Sequence, residues 1–168
     1  MTTSGAATSN PPDEAGHEPP TFDALYRREW MPMVRLAYLL TGSEAVAQEV
    51  VQDAFIELRH RWSTVANTGG YLRTSVVNRS RTAWRKESRE ADPTAHRAAH
   101  ADAATVQPPE LDDMWRRVCR LPAGQREAVV LRFYEDLSVA QIAAVLACRE
   151  GTVKSRLSRA LDNLKGIR

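Results

Sequence analysis

The sequence has little cysteine, little net charge and no long apolar run. Two cysteines, Cys119 and Cys148, occur among 168 residues, no C-x-x-C pair is present, and the formal net charge is +2. We expect the two thiols to be a core residue and a turn residue in a reduced cytosol. No run approaches the ~18 apolar residues of a membrane-spanning helix, and the N-terminus lacks a signal-peptide pattern. We therefore predict a cytoplasmic protein with no direct membrane insertion.

The sequence also lacks the spacings of a catalytic or metal site. Its four histidines are scattered, and no nucleophile stands at a spacing that would pair it with a base. His96 and His100 are four residues apart, but no third ligand lies near them in the sequence. We expect neither an enzyme nor a metal site, and no cofactor.

The small net charge conceals an uneven distribution. Residues 1–20 contain three acidic residues and no Lys or Arg. Residues 71–89 contain six Lys or Arg against Glu87 alone, and residues 149–168 contain six against Glu150 and Asp162. Two separated basic patches indicate contact with a polyanion at two places.

Composition and periodicity divide the chain into four parts and predict an all-α fold. Residues 1–20 are rich in Thr, Ser, Ala and Pro and predict a disordered N-terminal tail. Residues 21–89 and 111–168 carry apolar residues at helical spacing, which predicts two small helical domains. Residues 90–110 have little periodic apolar content and predict a flexible linker. Thr41 and Gly42 end one predicted helix, and Ser43 is a candidate cap for the next.

Residues 137–164 predict a helix-turn-helix. Ser138 and Gln141 form an S-x-x-Q capping box at the start of a short helix, and the apolar pattern stops near Ala147. A second helix follows, with Val153 and Leu161 on its apolar side. Two short helices around a tight turn are the arrangement that places a helix in a DNA groove.

The second helix presents a small, basic face away from its apolar side. Thr152, Ser155, Ser158 and Arg159 point away from that side, and Lys154 and Arg156 flank it. An ordinary helical hairpin with a solvated outer face would fit the periodicity too. The small side chains and the scarcity of acid favour DNA binding, because they let a helix approach a groove floor.

This segment resembles region 4 of bacterial sigma factors. Residues 136–138 and 151–160 are similar to the pattern D-L-S-x-x-E-I-A…G-T-V-K-S-R-L-x-R-A of the extracytoplasmic-function (ECF) group. Gln141 replaces the usual Glu, and Ala147 replaces the usual turn Gly, which adopts positive φ more easily. Residues 111–135 also fit the region 4 pattern. The resemblance implies binding to the minus-thirty-five promoter element through the following residues: Thr152, Lys154, Ser155, Arg156, Ser158 and Arg159.

The N-terminal helical block resembles sigma region 2. Residues 47–55 are similar to A-E-D-L-V-Q-E-A-F, and residues 71–81 to W-L-x-x-I-A-x-N-x-x-x-D/R, with most likeness to the SigE-like actinobacterial subgroup. The resemblance implies that Glu49, Gln52 and Asp53 bind the β′ clamp helices of core RNA polymerase. The same three residues would be unremarkable on the exposed face of any helix. The resemblance implies the β flap as a second polymerase contact.

The basic patch of residues 71–89 contains Trp84, and aromatic residues at helical spacing usually belong to a core. Trp84 stands among basic residues, however, and aromatic stacking with phosphate neutralisation is how proteins hold single-stranded DNA. The resemblance implies capture of the melted minus-ten strand by the following residues: Asn78, Arg79, Arg81, Trp84, Arg85 and Lys86. For Tyr71, the sequence does not decide between a core residue and a contact to DNA.

The resemblance predicts a sigma factor that binds core polymerase and promoter DNA and directs transcription initiation. The alternative is a free-standing helix-turn-helix regulator, which would bind DNA without polymerase, on a palindromic site. The sequence carries no signal that decides whether an anti-sigma factor also binds the chain.

Overall fold

The computed structural model describes residues 21–90 and 113–166, and every regular element in these two ranges is helical. The all-α prediction is confirmed. The tail predicted over residues 1–20 lies outside the described residues, and so do His96, His100 and nearly all of the linker predicted over residues 90–110.

Three helices form the N-terminal group: α1 (Phe22–Thr41), α2 (Glu44–His60) and α3 (Thr68–Glu90). The first two begin at side-chain caps, since Thr21 Oγ1 accepts a hydrogen bond from the Ala24 amide and Ser43 Oγ accepts one from the Val46 amide. Gly42, with φ of 75°, ends α1 in the left-handed conformation that glycine adopts without strain. Pro32 lies inside α1, which continues through it.

The C-terminal group is built from shorter helices: α4 (Asp113–Cys119), α5 (Ala123–Val129), a π-helical turn (Val130–Tyr134), α6 (Val139–Val145) and α7 (Glu150–Gly166). The predicted capping box at α6 is confirmed. The Gln141 amide donates to Ser138 Oγ at 3.2 Å, and the Ser138 amide donates to Gln141 Oε1 at 2.8 Å. These two bonds satisfy backbone donors that would otherwise lack a partner at the helix start.

The two groups pack against each other. Helix α1 contacts α4, α5 and the π-helical turn, and the buried apolar residues of both groups form one cluster. Burial and the nearby Cys119 thiol of α4 raise the pKa of Tyr38 on α1. Apolar residues from both groups are almost fully buried, among them Leu36, Leu39, Val51, Val76, Val118, Leu131 and Ile142.

A hydrogen-bonded link joins α2 to α3. The Tyr71 hydroxyl donates to Glu57 Oε1 at 2.8 Å, and Arg79 Nη2 donates to Glu57 Oε2 at 2.9 Å. The bonds from Arg79 and then Tyr71 hold the pKa of Glu57 below its usual range. Tyr71 is half-buried, so it serves as a packing residue and as a hydrogen-bond donor at once.

The turn between α6 and α7 places an alanine in the left-handed region. Ala147 has φ of 49°, as its position in the turn pattern suggested, and its side chain is exposed. An L-residue with a Cβ carries a conformational cost of about 1–2 kcal/mol in this region. The helix-turn-helix therefore forms with local strain at one residue.

We predict that Ala147→Gly raises the free energy of unfolding by about 0.5–1 kcal/mol. The relief of strain exceeds the extra backbone entropy that glycine has in the unfolded chain. Ala144→Gly, an exposed substitution within α6, should lower it by a similar amount, about 0.5–1 kcal/mol. Urea unfolding of both variants measures this, and destabilisation by Ala147→Gly would contradict the strain.

We predict that Tyr71→Phe lowers the free energy of unfolding by about 0.5–1 kcal/mol at neutral pH, since it removes a partly solvated hydrogen bond to a carboxylate. Because the folded-state pKa of Glu57 is lowered, its ionised form contributes stability above its unfolded pKa. That contribution disappears as pH falls through the lowered pKa, so the cost of Tyr71→Phe should shrink there. Denaturant unfolding at a series of pH values tests this. In a Glu57→Gln background the cost should not vary with pH in the acid range.

Candidate nucleic-acid interface

Helix α7 turns a polar face to solvent because Val153 and Ala160 anchor its opposite side in the core. The capped α6 and the left-handed turn fix the angle at which α7 begins. Five of the six residues predicted to contact the minus-thirty-five element are exposed on this helix: Thr152, Lys154, Ser155, Ser158 and Arg159.

Arg156, the sixth, turns toward the interior of the C-terminal group. Its guanidinium Nη1 lies 3.9 Å from Glu127 Oε2, and its Nε would be 3.2 Å from a Cβ placed on Gly124. The absence of a side chain at Gly124 therefore makes room for the arginine. This geometry gives Arg156 a role in joining α7 to α5.

Leu161 also differs from the expected pattern. It was assigned to the apolar side of α7, yet it is 41% exposed. With Phe133 and Met114, which are also exposed, it borders an apolar groove of about 390 Å³ on the C-terminal group. Helical periodicity correctly places Leu161 near Leu164, since both border this groove, but it does not predict how exposed Leu161 is. The groove is a surface suited to an apolar segment of a protein partner.

The residues predicted for the minus-ten strand lie on two faces of α3. Asn78, Arg79 and Lys86 border a groove of about 790 Å³ between α2 and α3. Arg81 and Trp84 instead face the C-terminal group. Arg85 is exposed.

The groove between α2 and α3 also receives Glu49 and Asp53, two of the three residues predicted to contact polymerase. Arg79 Nη1 lies 3.4 Å from Asp53 Oδ2, so this arginine bridges the acidic and the basic sides of the groove. Gln52 is exposed on α2, as are Glu49 and Asp53. Glu49, Gln52 and Asp53 therefore lie together on one exposed surface of α2.

The other face of α3 is engaged by charged groups of the C-terminal group. Arg81 Nε lies 3.1 Å from Glu127 Oε1, and Arg73 pairs with Glu135. The Arg126 guanidinium lies 4.3 Å from the centroid of the Trp84 ring, a cation–π contact. The sequence patterns did not predict these contacts, because each contact joins residues that lie far apart in the chain.

Glu127 and Arg126 are charged residues in a largely apolar environment. Burial raises the pKa of Glu127, against the opposing influence of Arg81, Arg156 and other arginines around it. Burial lowers the pKa of Arg126, whose Nη1 donates to the Cys119 carbonyl at 2.9 Å. Arg126 and Glu127 directly precede the apolar residues 128–131. Two charged residues at that place are the feature of the sequence that could have indicated a buried polar contact on this helix.

The described residues contain no group of three or more His, Cys, Asp or Glu side chains that could hold a metal ion. In the same part of the chain, no helix has the length and apolar character needed to cross a membrane.

Two family matches cover most of the described chain. Residues 25–90 match the family described as Sigma-70 region 2, and residues 111–164 match Sigma-70, region 4. These are the two segments in which the N-terminal and C-terminal helical groups lie.

Curated relatives show similarity along most of the chain, across both segments. The chain is 32% identical over 148 residues to the RNA polymerase sigma-E factor of Streptomyces avermitilis, covering 86% of this chain and 83% of the relative. It is 31% identical over 153 residues to the ECF RNA polymerase sigma factor SigM of Mycobacterium tuberculosis, covering 85% of this chain and 74% of the relative.

The fold is shared with a sigma factor of known structure. The sigma factor RpoE of Bartonella quintana, solved in complex with the anti-sigma factor NepR, superposes with a TM-score of 0.65 at 24% identity. The match covers 86% of this chain and 94% of RpoE. The family matches and the curated relatives agree, and the chain belongs to the ECF group of the sigma-70 family of RNA polymerase sigma factors.

Proposed function

We propose that the chain binds core RNA polymerase and directs it to promoters by contacting two DNA elements with its two helical groups. The observation that carries this proposal is the exposed polar face of α7, set at a fixed angle by the capped α6 and the turn at Ala147. Its family consists of initiation factors, and polymerase itself makes the phosphodiester bonds. We therefore propose no catalytic role and no cofactor for this chain.

The exposed face of α7 is assigned to the minus-thirty-five duplex. Arg159 and Ser155 are proposed to meet base edges in the major groove, where sequence is read, and Lys154 to meet a phosphate. Thr152 and Ser158 complete the contact. Arg156 is engaged by Glu127 and is proposed to support the orientation of α7.

Helix α3 is assigned to the melted minus-ten strand. The proposed strand contacts are the six basic, amide and aromatic residues named from the sequence: Asn78, Arg79, Arg81, Trp84, Arg85 and Lys86. A tryptophan among basic residues on one helix combines base stacking with phosphate neutralisation. The exposed positions of Asn78, Arg85 and Lys86 support this assignment.

Polymerase is proposed to bind through two surfaces. Glu49, Gln52 and Asp53 offer exposed acidic and polar side chains on α2 to the β′ clamp helices. The apolar groove beside Phe133 and Leu161 suits the β flap, because an exposed apolar groove accepts the apolar face of a partner segment. Core polymerase and promoter DNA both act in the bacterial cytoplasm, so that compartment is proposed for this chain.

The chain matches both sigma region 2 and sigma region 4. These two matches do not favour the alternative of a free-standing regulator. An anti-sigma factor is a further candidate partner, and the sequence does not decide whether one binds this chain. The solved complex of RpoE with NepR concerns that protein and contributes only the fold here.

We predict that charge reversal by Glu49→Lys together with Asp53→Lys weakens co-purification with core polymerase by about tenfold or more, because opposed charges in an interface are strongly unfavourable. Run-off transcription with purified core polymerase should fall in parallel, while helical content is retained. With core polymerase, the wild-type chain should yield a promoter-specific transcript. Without polymerase, it should give no footprint on promoter DNA.

Asp23→Lys is the control, since it makes one such charge reversal at an exposed position on α1 and should leave co-purification unchanged. Undiminished binding by the doubly reversed variant would move the contact away from α2. A wild-type footprint on a palindrome without polymerase would favour a regulator instead.

We predict that Arg159→Ala changes which minus-thirty-five sequences the holoenzyme selects, with about 1–3 kcal/mol lost at one base position. Lys154→Ala should weaken all sequences alike and reduce the salt dependence of binding. Competition binding to a set of duplex variants separates the two outcomes.

Arg156→Ala provides a contrast on the same helix: it should lower the stability of the chain without changing sequence preference. A uniform loss across all duplexes with Arg159→Ala would show that Arg159 contacts phosphate.

A further inference from the structure

Arg79 takes part in two of the proposed binding surfaces at once. It lies on α3, where it is assigned to the minus-ten strand, and its guanidinium reaches across the groove to α2. Its Nη1 donates to Asp53 Oδ2 at 3.4 Å, and Asp53 is assigned to core polymerase. One side chain therefore connects the polymerase-binding surface of α2 with a strand-binding face of α3.

The two ends of this guanidinium are held unequally. Arg79 Nη2 donates to Glu57 Oε2 at 2.9 Å, a normal length for a charge-assisted hydrogen bond. The bond to Asp53 is longer, at 3.4 Å, and the Asp53 side chain is 54% exposed. The contact with Asp53 is therefore the weaker of the two, and it is the one that a side chain of polymerase can reach.

Glu57 is itself fixed in position. Its other oxygen, Oε1, accepts a hydrogen bond from the Tyr71 hydroxyl at 2.8 Å, and Arg61 Nε lies 3.6 Å from the same oxygen. Glu57 follows Asp53 by four residues, which places both carboxylates on one side of α2. Glu57, which is not assigned to polymerase or to DNA, can therefore hold Arg79 at the groove after the contact with Asp53 is lost.

Either ligand must break the contact between Asp53 and Arg79. A basic group of polymerase that binds Asp53 competes with Arg79 for the carboxylate, and a strand phosphate that binds Arg79 competes with Asp53 for the guanidinium. The first ligand to bind breaks the contact, so the second no longer loses that free energy. By thermodynamic linkage, each ligand then raises the affinity for the other by the same factor.

We infer that Arg79 couples polymerase binding to capture of the minus-ten strand, and that Glu57 is the positioning residue that keeps its guanidinium at the groove once polymerase has engaged Asp53. The inference rests on the proposed functions of α2 and α3. The share of the coupling that passes through this contact is about 1.5- to fivefold, because an ion pair this accessible contributes little free energy. Asn78 and Lys86 border the same groove, so Arg79 stands beside two further proposed contacts to the strand.

The test compares the affinity of the full-length chain for core polymerase with and without a saturating single-stranded minus-ten oligonucleotide. The ratio of these two affinities is the coupling factor. Arg79→Gln and Asp53→Asn should each lower the coupling factor by about 1.5- to fivefold relative to the wild-type chain. The double variant should lower it no further than either single variant, because both substitutions remove the same contact.

Lys86→Gln is the matched control, since it removes another cation that borders the groove and is assigned to the same strand. Lys86 lies two helical turns beyond Arg79, about 10 Å along α3, and so away from the contact with Asp53. This variant should weaken binding of the oligonucleotide and leave the coupling factor at the wild-type value.

Two variants of Glu57 test the positioning role, because they remove the same charge. Glu57→Gln keeps an oxygen that can accept a hydrogen bond from Arg79, whereas Glu57→Ala does not. Holoenzyme with Glu57→Gln should bind the oligonucleotide about two- to fivefold more tightly than holoenzyme with Glu57→Ala, with helical content retained in both. Equal affinities of these two variants would contradict the positioning role.

A wild-type coupling factor in folded Arg79→Gln or in folded Asp53→Asn would overturn the inference. A double variant in which the two losses multiply would overturn it too, because the substitutions would then act independently. Failure of the proposed function is distinguishable. In that case Asp53→Asn would leave the affinity for polymerase without DNA unchanged, or Arg79→Gln would leave the affinity of the holoenzyme for the oligonucleotide unchanged.

Discussion

The arrangement of the two helical groups depends on a carboxylate that is buried among arginines. Removing Glu127 from water costs free energy, which the guanidinium groups of Arg81 and Arg156 offset only while all three remain in place. An uncompensated charge would remain if one partner left without replacement.

The two basic regions differ in accessibility. Trp84 and Arg81 contact the C-terminal group, whereas the outer residues of α7 are exposed.

Local rules predicted the elements of the fold well. Short-range geometry depends only on residues that are close together in the sequence. It accounts for the caps at Ser43 and Ser138 and for the left-handed residue at Ala147. Family patterns then pointed to two DNA-contacting helices. The inward turn of Arg156 and the exposure of Leu161 were not predicted, because helical periodicity defines a side chain's direction around its own axis and says nothing of what covers it.

The contacts between the groups could not be predicted for a related reason. Arg73 and Glu135 are 62 residues apart in the chain, and each would be acceptable on any solvated helix. The π-helical turn before Glu135 likewise has no local signal in the sequence. Only the packing of α1 against the C-terminal group brings these side chains together.

Transcription by purified core polymerase on a library of promoter sequences tests the central claim most directly. With this chain added, transcripts should start at a defined subset of promoters that share a minus-thirty-five and a minus-ten element. An unchanged set of transcripts with and without the chain would contradict the account.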